Sequence, residues 1–112
     1  MGLIYHLVLP EQWEIALNSG TYRPVSLETE GFIHFSEEHQ VLETAKRHFS
    51  KETELIVLHV PEKRLQSKIK REAAPSGELF PHLYQELPIE MVETISVLAK
   101  ENGNWYWEKR KL

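Results

Sequence analysis

Runs of apolar residues separated by proline and glycine predict a chain of short strands. Leu3–Leu9 is apolar at both alternating sets of positions apart from His6, which is typical of a strand covered on both faces. Glu54–Val60 is the most strand-like stretch and ends at Pro61. Further strands are predicted at Gly31–Phe35, late in the segment Leu65–Glu72, at Met91–Leu98 and at Trp105–Trp107, the last two joined by a loop with an Asn-Gly pair.

Two segments have the spacing of apolar residues that is typical of amphipathic helices. The first covers Glu11–Ser19, and Gly20 is well placed to end it in a left-handed conformation. The second is predicted to begin after Ser36, a good N-cap, and to run to about Phe49. The residues expected on the buried faces are Trp13, Ala16 and Leu17 in the first helix and Val41, Leu42, Ala45 and Phe49 in the second.

The remaining segments are predicted to be loops or ends. Thr21–Glu30 is loop-like, and the stretch around Phe80–Tyr84 is expected to be irregular because prolines bracket it. The basic tail at residues 109–111 is predicted to be a solvated end. About six strands and two helices that do not strictly alternate indicate a single α+β domain over residues 1–112.

Composition and charge exclude several classes of function. The 112 residues contain 13 basic and 17 acidic side chains, so the formal charge of −4 argues against binding to duplex DNA. Cysteine is absent, which excludes disulfides, zinc–thiolate sites, iron–sulfur clusters and thiol nucleophiles. The sequence has no apolar run long enough to span a membrane and no secretory signal. We therefore expect a soluble cytoplasmic protein, whose oligomeric state the sequence leaves open.

The glycine positions exclude the common phosphate-binding motifs. The five glycines lie at positions 2, 20, 31, 77 and 103, too far apart for a dinucleotide fingerprint or a phosphate-binding loop. The Gly-x-Ser-x-Gly elbow of the serine hydrolases is also absent from the sequence. A bound nucleotide would therefore have to be held by side chains and local backbone.

The six histidines are the main candidates for chemistry, and their contexts differ. His39 and His48 lie among charged residues and are expected to be solvated, whereas His59 ends an apolar strand and is expected to be structural. His6 and His34 each lie inside an apolar strand, where an imidazole needs a hydrogen-bond partner or a solvent-filled cleft. The pattern leaves two interpretations open: a pair of satisfied core histidines, or two rings that line one cleft.

His82 and the carboxylates are harder to assign from the pattern. His82 belongs either to a loop packed over the core or to a pocket wall with one polar group. Among the acidic residues considered, the pattern alone favours none: Glu28, Glu30, Glu72, Glu78 and Glu86.

Two spaced elements resemble a known family. Gly31-Phe32-Ile33-His34-x-Ser36 and Phe80-Pro81-His82-x-Tyr84 resemble the domain of unknown function 952 family of small bacterial proteins, over about residues 3 to 98. Two positions depart from the family pattern, with Phe35 where Cys is frequent and Gln85-Glu86 where Gly-Pro is frequent. The other matching residues are Tyr5-His6, Trp13, Ala16, Gly20, Ser26-Leu27, Gln40, Glu72 and Leu87-Pro88.

The resemblance implies a fold and a set of site residues. The family is grouped with the ADP-ribosyltransferases, which implies an α+β fold with a split, strongly curved, mainly antiparallel sheet and two main helices around an NAD-sized cleft. By motif position the implied catalytic candidates are His6, His34 and Glu72. The implied ligand-binding residues are Tyr5, Ser26, Ser36, Phe80, His82 and Tyr84.

The resemblance also implies a class of ligand. We expect a cleft that binds NAD or a related nucleotide, with NAD as a substrate rather than a resident cofactor, and transferase or glycohydrolase activity left open. One alternative is a binding or regulatory module without catalysis. A metal site built from His6, His34, His82 and a carboxylate ranks last, because these histidines lack paired ligand spacing, and no metal ligand is assigned.

Overall fold

The structure is a computed structural model that describes residues 2–108, without the side chain of residue 66. The predicted solvated tail at 109–111 lies outside this range. Nine strands are formed within it, and all of their pairings are antiparallel. The prediction of a mainly antiparallel α+β protein is confirmed.

The strands form three separate sheets. Four strands make the first, in the order β1 (Leu3–Val8), β4 (Glu54–Pro61), β8 (Thr94–Glu101), β9 (Asn104–Glu108). The second pairs β2 (Thr21–Tyr22) with β7 (Leu87–Pro88). The third has the order β3 (Ile33–His34), β6 (Leu79–Leu83), β5 (Ile69–Ala73).

Two longer helices, with several short ones, complete the fold of the described residues. Helix α1 begins at Pro10, whose missing N–H is tolerated in the first turn, and ends where Gly20 adopts a φ of 91° and its N–H donates to Ala16. The α-helices are α1 (Pro10–Ser19), α2 (Ser26–Thr29) and α3 (Val41–His48), and short 3₁₀ helices cover Glu38–Gln40, Glu62–Lys68 and Ile89–Met91. None of the helices in residues 2–108 combines the length and apolar character needed to cross a bilayer.

The four-stranded sheet is covered on both faces, as the apolar pattern of β1 and β4 predicts. Alternate residues of these strands enter two different hydrophobic clusters. On one face Ile4 and Leu58 pack with residues from α1 and the two smaller sheets, whereas on the other Leu7 and Val57 pack with α3. The four-stranded sheet therefore lies between two hydrophobic clusters, one on each of its faces.

The start and the buried face of α3 differ from the prediction. Ser36 is not the N-cap, because its hydroxyl bonds Thr44 and its backbone pairs with Tyr5. Instead Glu37 and Gln40 exchange hydrogen bonds in a capping box. The α-helix starts only at Val41, which turns Leu42 toward solvent with 45% of its surface exposed.

Other predicted boundaries were also wrong. Leu17 in α1 is 49% exposed instead of buried. Phe80–Tyr84 is not irregular, because strand β6 includes Pro81. Pro81 donates no ladder hydrogen bond, but its carbonyl still accepts one from the N–H of Phe35, at 2.9 Å. The predicted loop Thr21–Glu30 contains both β2 and α2.

Candidate functional site

One face of the three-stranded sheet carries polar and aromatic side chains and is the candidate site. Alternation along β6 buries Pro81 and Leu83 and turns His82 to the opposite side. Cross-strand register places His34 of β3 and Lys70 of β5 on either side of His82. We call this surface the outer face; it consists of Phe32, His34, Lys70, Glu72, Phe80, His82 and Tyr84.

Glu72 and its two partners form the polar centre of the outer face. The Oε1 atom of Glu72 lies 2.7 Å from Nδ1 of His82 and accepts a hydrogen bond from the Tyr84 hydroxyl at 2.6 Å. These bonds lower the pKa of Glu72, with the Tyr84 hydroxyl the larger cause, and the same carboxylate raises the pKa of Tyr84. The Glu72 carboxylate is therefore ionised at neutral pH and is fixed in position by its contacts with His82 and Tyr84.

His34 lies beside this centre and has its own carboxylate. Its Nε2 atom is 2.6 Å from Oε1 of Glu30, which directly follows helix α2. Both side chains are about half exposed, 54% for His34 and 49% for Glu30. The His34 ring meets the His82 ring at 5.3 Å and an angle of 73°. Two imidazoles, each bonded to a carboxylate, thus lie next to one another.

Phe32 packs the rings of the outer face together. Its ring stacks on His82 with centroids 3.9 Å apart and a 14° angle between the planes. The same ring contacts His34 at 4.8 Å and Tyr84 at 5.3 Å. Lys70 adds a cation 5.2 Å from the Tyr84 ring centroid. The outer face therefore combines aromatic and imidazole rings with the amine of Lys70 and the ionised carboxylate of Glu72.

His6 contacts the backbone of His34 from the interior. Its Nδ1 atom is 2.5 Å from the carbonyl oxygen of His34, and its Nε2 atom is 2.7 Å from the Tyr22 hydroxyl. Only 9% of His6 is exposed, and burial lowers its pKa to about 4. The structure therefore brings His6 and His34 together, but only the His34 ring is open to solvent.

The other predicted ligand-binding residues are divided between two places. Phe80 lies on the outer face opposite Glu72 in register, and Ser26 donates a hydrogen bond to the carbonyl of Phe32 at 2.8 Å. Tyr5 and Ser36 are buried elsewhere. Tyr5 lines a separate groove of about 860 Å³ near Glu38 and Arg71. The pKa of Tyr5 is raised mainly by burial and to a smaller extent by the negative charge of Glu38.

Sequence patterns missed four residues of this site. Phe32 stands two residues before His34 in the predicted strand Gly31–Phe35 but was not assigned a role, and Lys70 stands two residues before Glu72 on the same strand. Period-two spacing was the signal for both. Glu30 was considered but not ranked. Tyr22 had no signal, because it lies in a segment predicted to be a loop.

The proposed metal site is not favoured by this geometry. Within residues 2–108, no group of three or more His, Asp or Glu side chains is arranged to hold a metal ion. Both ring nitrogens of His6 already contact protein oxygens, so this residue has no lone pair aimed at an open site.

Known proteins that resemble this chain share its fold. The crystal structure of protein CC0527 from Caulobacter crescentus is 31% identical, covers 93% of each chain and superposes with a TM-score of 0.85. A crystal structure of a double mutant of CC0527 gives 30% identity, 93% coverage of each chain and a TM-score of 0.84. The solution NMR structure of CC0527 gives 31% identity, covers 94% of this chain and 91% of that one, and has a TM-score of 0.82.

A family model agrees with these structural matches. A search of curated proteins finds no match. The model described as "Protein of unknown function (DUF952)" matches residues 7–95, which include the candidate site. The chain therefore belongs to the DUF952 family.

Proposed function

We propose that the outer face binds NAD or a related nucleotide. The observation that carries the proposal is the ionised Glu72, held at Oε1 by Tyr84 and His82 beside the exposed ring of His34. Within residues 2–108 no hydrogen bond to the Oε2 atom of Glu72 is found, so this oxygen is available to accept from a ribose hydroxyl. The proposal includes the ADP-ribosyltransferase-like fold that the sequence motifs imply.

Each chemical part of a dinucleotide has a suitable partner on this face. A base or nicotinamide ring can stack on an aromatic side chain, and Phe32 and Tyr84 are partly exposed here. The amine of Lys70, beside Tyr84, supplies a positive charge for a phosphate. His34 can donate to or accept from a ribose hydroxyl. Side chains thus replace the glycine-rich loop that the sequence lacks.

The arrangement also suits cleavage of a glycosidic bond. Loss of nicotinamide from NAD breaks the bond between C1′ and nitrogen and leaves an oxocarbenium-like ribose. An ionised carboxylate stabilises such a cation without forming a covalent bond, and an acceptor alcohol or water then bonds to C1′ and loses a proton. This chemistry requires no side-chain nucleophile. The proposed activity is therefore transferase or glycohydrolase.

Isothermal titration with NAD, ADP-ribose and nicotinamide tests the binding proposal. We expect Glu72→Gln to weaken binding of NAD about tenfold, because the neutral amide keeps the shape of the side chain but loses its charge. His48→Ala is the control, since His48 is exposed at the end of α3, away from the outer face. No binding of any probe at millimolar concentration would refute the proposal.

A second candidate is a binding module without catalysis. The burial of His6, which lacks an open edge, favours this alternative because the outer face then has one histidine fewer for chemistry. Mass spectrometry of NAD incubated with the protein separates the two. Free nicotinamide that appears with wild type and is lost in Glu72→Gln supports the enzyme; unchanged NAD with measurable binding supports the module.

A further inference from the structure

One hydrogen-bonded chain links the three sheets of the fold. Tyr22 belongs to the two-stranded sheet, His6 to the four-stranded sheet and His34 to the three-stranded sheet. The Tyr22 hydroxyl contacts Nε2 of His6 at 2.7 Å, and Nδ1 of His6 contacts the His34 carbonyl at 2.5 Å. The imidazole itself packs against the rings of Tyr22 and Phe35, at 5.1 and 5.4 Å.

The chemistry of the groups sets the direction of both hydrogen bonds. A carbonyl oxygen only accepts, so Nδ1 of His6 must carry the hydrogen. Burial keeps the ring neutral, so Nε2 has no hydrogen and accepts from the Tyr22 hydroxyl. Tyr22 therefore donates to His6, and His6 donates to His34. A single tautomer satisfies every polar atom of this chain.

The imidazole takes the place of a backbone hydrogen bond. Tyr5 and Ser36 exchange two backbone hydrogen bonds, of 2.9 and 2.7 Å, but form an isolated bridge that does not extend into a ladder. Two residues before Ser36, the carbonyl of His34 is bonded by the side chain of His6. Strand β3 has only two residues, so this bond adds a constraint to the His34 backbone beyond the pairing with β6 and the bond from the Phe35 N–H to Pro81.

We propose that His6 and Tyr22 are positioning residues for His34 and do not contact the ligand. Their hydrogen bonds hold the His34 backbone, which in turn places the His34 ring beside Glu30 and His82 on the outer face. The consequence for ligand affinity rests on the proposed nucleotide function. The position of the His34 ring does not, and can be measured on the free protein.

Two amide variants of His6, each matching one ring nitrogen, separate positioning from direct contact. The amide nitrogen of Asn occupies about the place of Nδ1, so His6→Asn keeps a donor for the His34 carbonyl. The amide of Gln reaches about the place of Nε2, so His6→Gln can bond Tyr22 but leaves that carbonyl unpaired. Positioning predicts that the Gln variant displaces His34 clearly, and that the Asn variant, which loses only the bond to Tyr22, displaces it far less.

NMR of the free protein supplies the first readout. The ring protons of His34 are shifted by the ring current of Phe32, whose centroid is 4.8 Å away. We expect these shifts to change only slightly in His6→Asn, as in Tyr22→Phe, and clearly in His6→Gln. In wild type, the ¹⁵N pattern of His6 should show one tautomer with hydrogen on Nδ1. His59→Gln, a change at a buried histidine elsewhere, is the control and should leave the His34 signals unchanged.

Binding of NAD supplies the second readout. We expect His6→Gln to weaken binding about tenfold and His6→Asn less than about threefold. Equal changes of the His34 signals in both variants, or no change in either, overturn the inference. If His6→Gln does not fold, Tyr22→Phe decides: a smaller movement of the His34 signals supports positioning, and no movement overturns it. If wild type binds no nucleotide, the function fails while the NMR test still stands.

Discussion

The two buried histidines of the four-stranded sheet have similar burial but different surroundings. His6 is 9% exposed and His59 is 5% exposed, and they lie on adjacent strands with their side chains on opposite faces. His59 bonds Ser96 at 2.7 Å, and Ser96 also accepts from Trp107 at 2.9 Å, so this network joins strands of one sheet. The hydrogen bonds of His6 instead connect three sheets, and one of them reaches His34, a residue of the outer face. Two histidines with similar burial therefore differ in the parts of the fold that their hydrogen bonds connect.

Truncation of each histidine should have the largest effect and tests the comparison directly. We expect His6→Ala and His59→Ala each to lower the free energy of unfolding by about 3 kcal/mol, because each leaves buried polar partners unpaired and opens a cavity. Only His6→Ala should also weaken binding of NAD, by about tenfold. Denaturant unfolding and titration calorimetry measure the two quantities. Equal losses of affinity in both variants would contradict the distinction.

Acid should destabilise the protein through His6. The pKa of this side chain is about 4 in the fold and 6.5 in the unfolded chain, so between these values the unfolded state binds the extra proton. Stability is then lost as the pH falls, by about 2 kcal/mol from pH 7 to pH 5. Denaturant unfolding across this range measures the loss, and His6→Asn should be less sensitive by that amount. The same pH dependence in His6→Asn would assign the effect to other groups.

Removal of the exposed histidine should have the smallest effect on stability. His34→Ala loses a half-exposed bond to Glu30 and should change the free energy of unfolding by less than about 0.5 kcal/mol. Binding of NAD should nevertheless weaken about tenfold, since His34 lies on the outer face itself. For His59→Ala we expect the opposite result, a large loss of stability with unchanged affinity for NAD. A large loss of stability with unchanged affinity would place His34 among the structural residues.

Local patterns predicted much of the fold and part of the candidate site. Strands β1 and β4 followed from apolar runs that end at proline, and α1 from its spacing and Gly20. The start of α3 was missed because the choice between Ser36 and Glu37 depends on a bridge to Tyr5, far away in the sequence. Strand β6 was missed because it includes Pro81, and a proline in a central strand is acceptable only where the adjacent strand does not need an N–H donor from that position.

The sequence by itself determined that His6 and His34 are unusual, because a polar ring in an apolar strand requires a partner. It also determined which residues share a side of each strand, since alternation depends only on the backbone. Only the tertiary structure decided that Tyr22 is the partner of His6, that Glu72 meets His82 and Tyr84, and that Tyr5 lies elsewhere. The physical reason is that hydrogen bonds between distant segments depend on how the three sheets pack together, and that packing is a property of the whole core.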